Sequence, residues 1–256
     1  MQRLRRLATR RSERAAQRAF VIDGPVLVGE ALDAGVTVED IFVSATADGA
    51  ARVAAERAEA SGAMVWTVDP NVLARATDTV TPRGVAAVAG IPDASLDAAL
   101  HDDLALVLVG VADPGNAGTL VRTAEAAGAG AVVFCGGAVD PFAPKVVRAS
   151  AGSLFHVSVV SEGDPVQVLD RLGTGGRRRL GTRAHDGVDY DRADLTGPVA
   201  LVLGSEAHGL PAEISPMIDE WVRVPMAGRA ESLNVAMTGA VLCFDIARQR
   251  RARSVR

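Results

Sequence analysis

Three short segments gather the polar and glycine residues that chemistry at a strand end requires. The first, Asp113-Pro114-Gly115-Asn116-Ala117-Gly118, runs on through Thr119-Leu120-Val121 to Arg122. Read as a strand-to-helix junction, it leaves backbone N–H groups at the helix start free to face an anion, with Arg122 about one turn further in, in reach of the same mouth. The second is Gly204-Ser205-Glu206-Ala207-His208-Gly209-Leu210, whose flanking glycines permit a tight turn and close approach of backbone to a ligand. The third, Pro225-Met226-Ala227-Gly228-Arg229-Ala230-Glu231-Ser232-Leu233-Asn234, places Ser232 as a helix N-cap and adds the Asn234 amide. Taken singly, each is compatible with an ordinary tight turn. None matches G-x-G-x-x-G or the P-loop pattern, which argues against a nicotinamide-dependent oxidoreductase. Helix capping by Asn116 and Ser232, and a loop-holding role for Glu206, stand as alternatives to a role in catalysis.

The elements that must position these loops follow from hydrophobic periodicity. Strands are predicted at 104–111, 131–135, 154–160, 179–183, 199–203 and 221–224. Helices are predicted at 117–127, 143–149, 165–172 and 233–250. Continuous apolar strands alternating with helices indicate a mainly parallel α/β sheet covered on both faces, in which ligands collect at the carboxyl ends of the strands. Upstream, residues 1–18 read as a basic arm or helix. Strands at 20–22, 41–44, 64–68 and 85–90, with helices at 25–34, 50–61 and 72–76, form a smaller α/β domain over 19–92. Residues 93–103 are the expected linker, and 104–256 the second domain.

The chain of 256 residues is 48% apolar, ample for cores, and its apolar runs fall far short of the roughly 20 residues that cross a bilayer. The basic N-terminus has no apolar segment or cleavage site of a secretory signal, so a cytoplasmic protein is expected. Cys135 and Cys243 sit in apolar stretches, and His101, His156, His185 and His208 show no ligand spacing; neither a disulfide nor a metal site is expected. Net charge is −4, yet both ends are basic: Arg3, Arg5, Arg6, Arg10, Arg11, Arg14 and Arg18 face one acid, Glu13, and 248–256 has none. Guanidinium groups suit a polyanion, and solvated tails are the plain alternative.

Taken together the three loops are specific. Asn116-x-Gly118-x-x-x-Arg122, then Leu203-Gly204-x-Glu206-x-x-Gly209-Leu210, then Val224-Pro225-Met226-x-Gly228-x-x-x-Ser232-Leu233-Asn234-Val235 resemble, in order and spacing, the three motifs of the SpoU family of RNA ribose methyltransferases. Residues 140–155 resemble the segment this family carries between its first two motifs. Phe20-Val21-Ile22-Asp23-Gly24 and Thr81-Pro82-Arg83-Gly84-Val85 look like parts of the ribosomal-protein-like substrate-binding domain of rRNA-modifying members, with Asp23 where Glu is more frequent.

The resemblance implies a trefoil knot around 199–245 and S-adenosylmethionine as methyl donor. It implies that Leu203, Gly204, Gly209, Val224, Pro225, Met226, Ser232 and Leu233 hold the donor, with backbone groups of Gly204, Val224 and Leu233 foremost. The modified group would be a ribose 2′-hydroxyl of ribosomal RNA. Arg122 looks like the family's catalytic arginine, surrounded by Asn116, Glu206, Ser232 and Asn234. Arginine is almost always protonated, so gripping a phosphate and stabilising the developing oxyanion is an easier role for it than that of a base. Lys145, Arg148, Arg5, Arg6, Arg10 and Arg11 are candidate RNA contacts, against a purely structural or surface role. The resemblance further implies a homodimer through the knotted domains, with the closing helix at the interface. Alternatives are a tRNA methyltransferase of the same family, and a non-catalytic RNA-binding or ribosome-assembly factor with this fold.

Overall fold

Two separate sheets organise the chain in a computed structural model that describes residues 1–77, 83–97 and 103–254. Thr81, Pro82, His101 and Arg256 lie outside the described residues. In chain order the first elements are α1 (Gln2–Thr9), α2 (Arg11–Gln17), β1 (Ala19–Asp23), α3 (Pro25–Asp33), β2 (Val38–Ser44), α4 (Gly49–Ala60), β3 (Met64–Val68), α5 (Pro70–Thr77) and β4 (Val85–Gly90). Next come β5 (Leu104–Val109), α6 (Pro114–Ala126), β6 (Ala131–Cys135), α7 (Pro144–Ala149), a 3-10 turn at Ser153–Phe155, β7 (Ser158–Ser161), α8 (Pro165–Thr174) and β8 (Arg178–Thr182). The chain then forms β9 (Val188–Asp189), β10 (Val199–Leu203), a 3-10 segment Ala212–Met217, β11 (Glu220–Arg223) and α9 (Val235–Ser254).

The first unit comprises Met1–Asp93 together with Phe142–His156. Its sheet has the order β1-β4-β2-β3, with β4 antiparallel to both β1 and β2, and β3 parallel to β2. The basic N-terminal residues are built into this unit. Leu4 and Leu7, three apart on one face of α1, are fully buried against Val21, Phe42, Leu73 and Val88. Arg14 is buried and donates from Nη1 to the Leu7 carbonyl at 2.6 Å. Arg10, in extended conformation, separates the two helices. Arg5, Arg6, Arg10 and Arg11 are left exposed. The stretch 142–156, read from the sequence with the second domain, packs here instead: Phe142 and Phe155 lie with ring centroids 5.1 and 6.4 Å from Phe20.

The second unit comprises Ala94–Pro141 with Val157–Arg256. Its seven strands, in the order β7-β6-β5-β10-β8-β11-β9, pair in parallel throughout. β5, β6 and β10 are buried along their whole length, as strands covered on both faces must be. Side chains alternate between the faces. Val107, Val133 and Val202 meet Val168, Leu169 and Leu172 of α8 and Ile214 of the 3-10 segment. On the other face, α6 packs against α9 and α9 against β10. The strand predicted at 154–160 shortens to β7, because residues 153–155 take up the 3-10 turn that carries Phe155 to Phe20. β9 and the segment Ala212–Met217 are too short for periodicity to announce.

Candidate active site

The three loops of the sequence reading meet at the carboxyl ends of β5, β10 and β11, where a parallel sheet gathers ligands. Asp113 caps α6, its Oδ1 accepting from the Asn116 N–H at 2.7 Å, and Pro114 stands at the start of the helix, where no N–H is needed. The Asn116 side chain is thereby freed for other work. Its Nδ2 donates to Glu206 Oε1 at 2.9 Å, and its Oδ1 accepts from Asn234 Nδ2 at 3.0 Å. Glu206 also accepts from the backbone N–H groups of Ala112 (3.2 Å) and Asp113 (3.3 Å), so one carboxylate ties the second loop to the first.

Asn234 completes the array and also caps the last helix. Its Oδ1 accepts from Ala236 N (2.8 Å) and Met237 N (3.3 Å), and α9 starts at Val235. The cap expected at Ser232 therefore belongs to Asn234; two residues of loop lie between Ser232 and the helix, too many for its hydroxyl to reach the first free N–H groups. A glycine sets the approach of the helices. A Cβ at Gly239 would lie 2.3 Å from Leu120 Cδ2 on α6 and 2.9 Å from Leu203 Cδ1 on β10. Only a bare Cα there lets α9 come close enough for the Asn234 and Asn116 amides to meet.

Burial by itself would raise the Glu206 pKa. The hydrogen bonds from the Asn116 amide and from backbone N–H groups, those of Ala112 and Asp113 among them, outweigh it and hold the carboxyl below its ordinary value. Glu206 is thus a fixed anion that accepts hydrogen bonds and orders the loops. The second loop closes on itself: Ser205 N donates to Gly209 O (3.0 Å) and Gly209 N to Ser205 O (2.9 Å), with Gly209 at φ +67°, in the left-handed region. At Gly204 a Cβ would lie 2.2–2.4 Å from backbone atoms of Gly209 and Leu210, so nothing larger than glycine fits under the closed loop.

Beside this network opens a cavity of about 420 Å³, within the size range of small-molecule sites. Of the residues predicted to hold a cofactor, Gly204, Gly209, Val224, Met226, Ser232 and Leu233 line it, together with Glu206 and Asn234 from the polar set. Leu203 is fully buried and Pro225 exposed, and neither is on the wall. Arg122 is exposed on α6 and makes no ion pair with any described residue. Thr182, Arg183 and Ala184 also line the cavity, and sequence reasoning missed them. Thr182 ends β8 and the other two follow it, and the rule that sends ligands to parallel strand ends applies to that strand as well.

The remaining candidates fall elsewhere. Lys145 is exposed on α7, whereas Arg148 is partly buried with its Nη1 4.0 Å from Asp23 Oδ2, an ion-pair partner inside its own unit. His208 is exposed, and its backbone N–H donates to Ser205 Oγ at 3.2 Å. Cys135 and Cys243 are buried, which pushes both thiols up to about 12. Among the described residues no group of three or more His, Cys, Asp or Glu side chains is arranged to hold a metal ion, and no helix is long and apolar enough to cross a membrane.

Comparison with known proteins places these features. Residues 103–244 match the SpoU rRNA Methylase family, and residues 1–87 match the MRM3-like substrate binding domain. The chain is 34% identical over 236 residues, 92% of its length and 91% of the relative's, to the 23S rRNA (guanosine(2553)-2′-O)-methyltransferase RlmP of Bacillus subtilis strain 168. Its fold matches the crystal structure of the SpoU methyltransferase AviRb from Streptomyces viridochromogenes in complex with the cofactor AdoMet, with a TM-score of 0.90, 28% identity, and 98% and 97% of the two chains covered. The TrmH/SpoU tRNA modifying enzyme of A. aeolicus aligns over only 62% of this chain and 82% of its own, at 26% identity and a TM-score of 0.54.

Proposed function

This chain belongs to the SpoU rRNA methylase family, and from that premise we propose that it methylates a ribose 2′-hydroxyl of 23S ribosomal RNA with S-adenosylmethionine as donor. The observation that carries the reading is the hydrogen-bonded array Glu206–Asn116–Asn234, built from all three loops, whose two outer members line one cavity. The cavity fits the donor in size and in its mixed lining: apolar Val224, Met226 and Leu233 beside polar Ser232 and Asn234. When bound, S-adenosylmethionine supplies a methyl group on a sulfonium, open to in-line attack by an oxygen nucleophile.

The chain's own residues do the rest. Gly204, Val224 and Leu233 offer backbone groups to the donor, and Glu206 keeps the loops that carry them in register. Arg122, exposed and free of ion pairs among the described residues, grips a phosphate of the RNA and stabilises the ribose oxyanion as the 2′-hydroxyl gives up its proton to solvent water. Asn116, Ser232 and Asn234 orient the ribose and the arginine by hydrogen bonds. The first unit docks the RNA, with Arg5, Arg6, Arg10, Arg11 and Lys145 supplying exposed cations.

Ribosomal rather than transfer RNA is supported by the match of residues 1–87 to a substrate-binding domain, and by a tRNA-modifying neighbour that aligns over less than two thirds of the chain. β10 enters between β5 and β8, and β11 between β8 and β9, so the chain twice returns inside sheet it has already laid, as a trefoil knot over 199–245 would require. Met237 (49% exposed) and Phe244 (48% exposed), seven apart on α9, form an apolar stripe suited to a homodimer. Such an enzyme would act in the cytoplasm, on the ribosome or its precursors.

The test is incubation of the purified protein with labelled S-adenosylmethionine and separate 23S, 16S and transfer RNA pools, followed by mapping of 2′-O-methyl positions. Label at one site in 23S rRNA, abolished by Arg122→Ala with donor binding retained, is the expected result. Label confined to tRNA, or methylation unchanged in Arg122→Ala, refutes it.

A further inference from the structure

Three charged side chains line the cavity: Arg183, Glu206 and Glu231. Glu206 is engaged by Asn116 and by the backbone of Ala112 and Asp113. Arg183 is different in kind. Its guanidinium carbon lies 3.4 Å from the centroid of the Trp221 ring, and it makes no ion pair with any described residue. Its neighbours on the same strands do have carboxylates: Arg178 pairs with Glu220 (3.4 Å), Arg179 with Asp219 (2.7 Å) and Arg223 with Asp189 (2.7 Å). Arg183 is thus held in place by an aromatic face, which orients the cation while leaving its N–H edges unneutralised on the cavity wall.

The platform is itself built by a glycine. A Cβ at Gly181 would lie 2.9 Å from Trp221 Cζ3, so the indole crosses β8 only because residue 181 has no side chain. A planar cation held this way is suited to a carboxylate, which it can bind through two parallel hydrogen bonds.

We propose that Arg183 is a ligand-binding residue that grips the carboxylate at the amino-acid end of the methyl donor, with Trp221 as its positioning residue. The proposal rests on the reading that this cavity holds S-adenosylmethionine, whose one anionic group is that carboxylate. Glu231, which also lines the cavity and makes no ion pair with any described residue, would take the neighbouring ammonium.

The experiment is isothermal titration of the full-length protein with two probes. S-Adenosylhomocysteine keeps the amino-acid end, whereas 5′-methylthioadenosine keeps the adenosine and the sulfur but lacks it. Arg183→Ala is expected to weaken S-adenosylhomocysteine about ten- to a hundredfold, the worth of a charge-assisted hydrogen-bonded contact, and to leave 5′-methylthioadenosine within about twofold. Arg183→Gln, which preserves bulk, serves as the second variant, and matched melting curves establish that both fold. Equal weakening of the two probes would mean that Arg183 stacks on the base and overturns the proposal, as does no change in either. A wild-type protein that binds neither probe overturns the reading of the cavity and this proposal with it; one that binds both, with Arg183→Ala selective for neither, overturns the proposal alone.

Discussion

Replacing Gly204 by alanine is the smallest change that should dismantle the loop of residues 204–210 beside the cavity. A Cβ there would stand 2.2 Å from Gly209 C, 2.4 Å from Gly209 O and 2.4 Å from Leu210 N, against an ordinary carbon contact of about 3.5 Å or more. All three are backbone atoms, so no rotamer change relieves the clash, and the loop must move by roughly 1 Å. The move breaks the two hydrogen bonds that close it, Ser205 N to Gly209 O and Gly209 N to Ser205 O. At about 0.5–1.5 kcal/mol net each, holding the loop in its binding shape would cost about 1–3 kcal/mol. That energy reappears in binding as a loss of about 5- to 150-fold for S-adenosylhomocysteine. Because residues 206–209 are exposed, the loop can open without unfolding the sheet, and the melting temperature should fall by only a few degrees. Gly228→Ala is the control, since a Cβ at 228 in the third loop meets nothing within 4 Å. Titration calorimetry on the two variants decides: Gly204→Ala binding within twofold of wild type, with an unchanged melting curve, would show that the loop tolerates a Cβ at residue 204.

Glu206 has a folded-state pKa below its ordinary value, so its stabilisation of the loops is fully present above the ordinary carboxylate range. It is lost as pH falls through the lowered value, and Glu206→Gln should both weaken donor binding at neutral pH and flatten that acid-side fall; a wild-type pH profile in the variant contradicts this. Cys135 and Cys243, buried with thiols pushed up to about 12, should not react with a thiol reagent at pH 8 until the protein is unfolded, and rapid reaction of the native protein speaks against their burial. Light scattering should give the wild type twice the 26.4 kDa chain mass and Phe244→Glu a monomer; a dimer unaffected by that charge removes α9 from the interface.

Much of the site is legible in the chain because its parts are local. Each loop carries its own turn chemistry, and β4, β6 and β10 end where periodicity and a glycine place them, as β3 does before Asp69-Pro70. The functions of individual polar residues are less legible, since Asp, Asn and Ser all cap helices well: Asp113 and Asn234 turn out to cap, while Asn116 reaches across to Glu206, 90 positions away.

The alternating α/β pattern, the three loops and the family they resemble can be read directly along the chain, because hydrophobic period and motif spacing are short-range properties. The tertiary structure alone decided which strand ends share a cavity, since strand order is a long-range property that periodicity does not encode. It brought β8 between β10 and β11, and so put Arg183 on the cavity wall and over Trp221. It assigned Phe142–His156 to the first unit, because Phe142 and Phe155 bury their rings against Phe20. It turned basic residues 1–18 into two packed helices, because Leu4 and Leu7 find an apolar face of the sheet to cover.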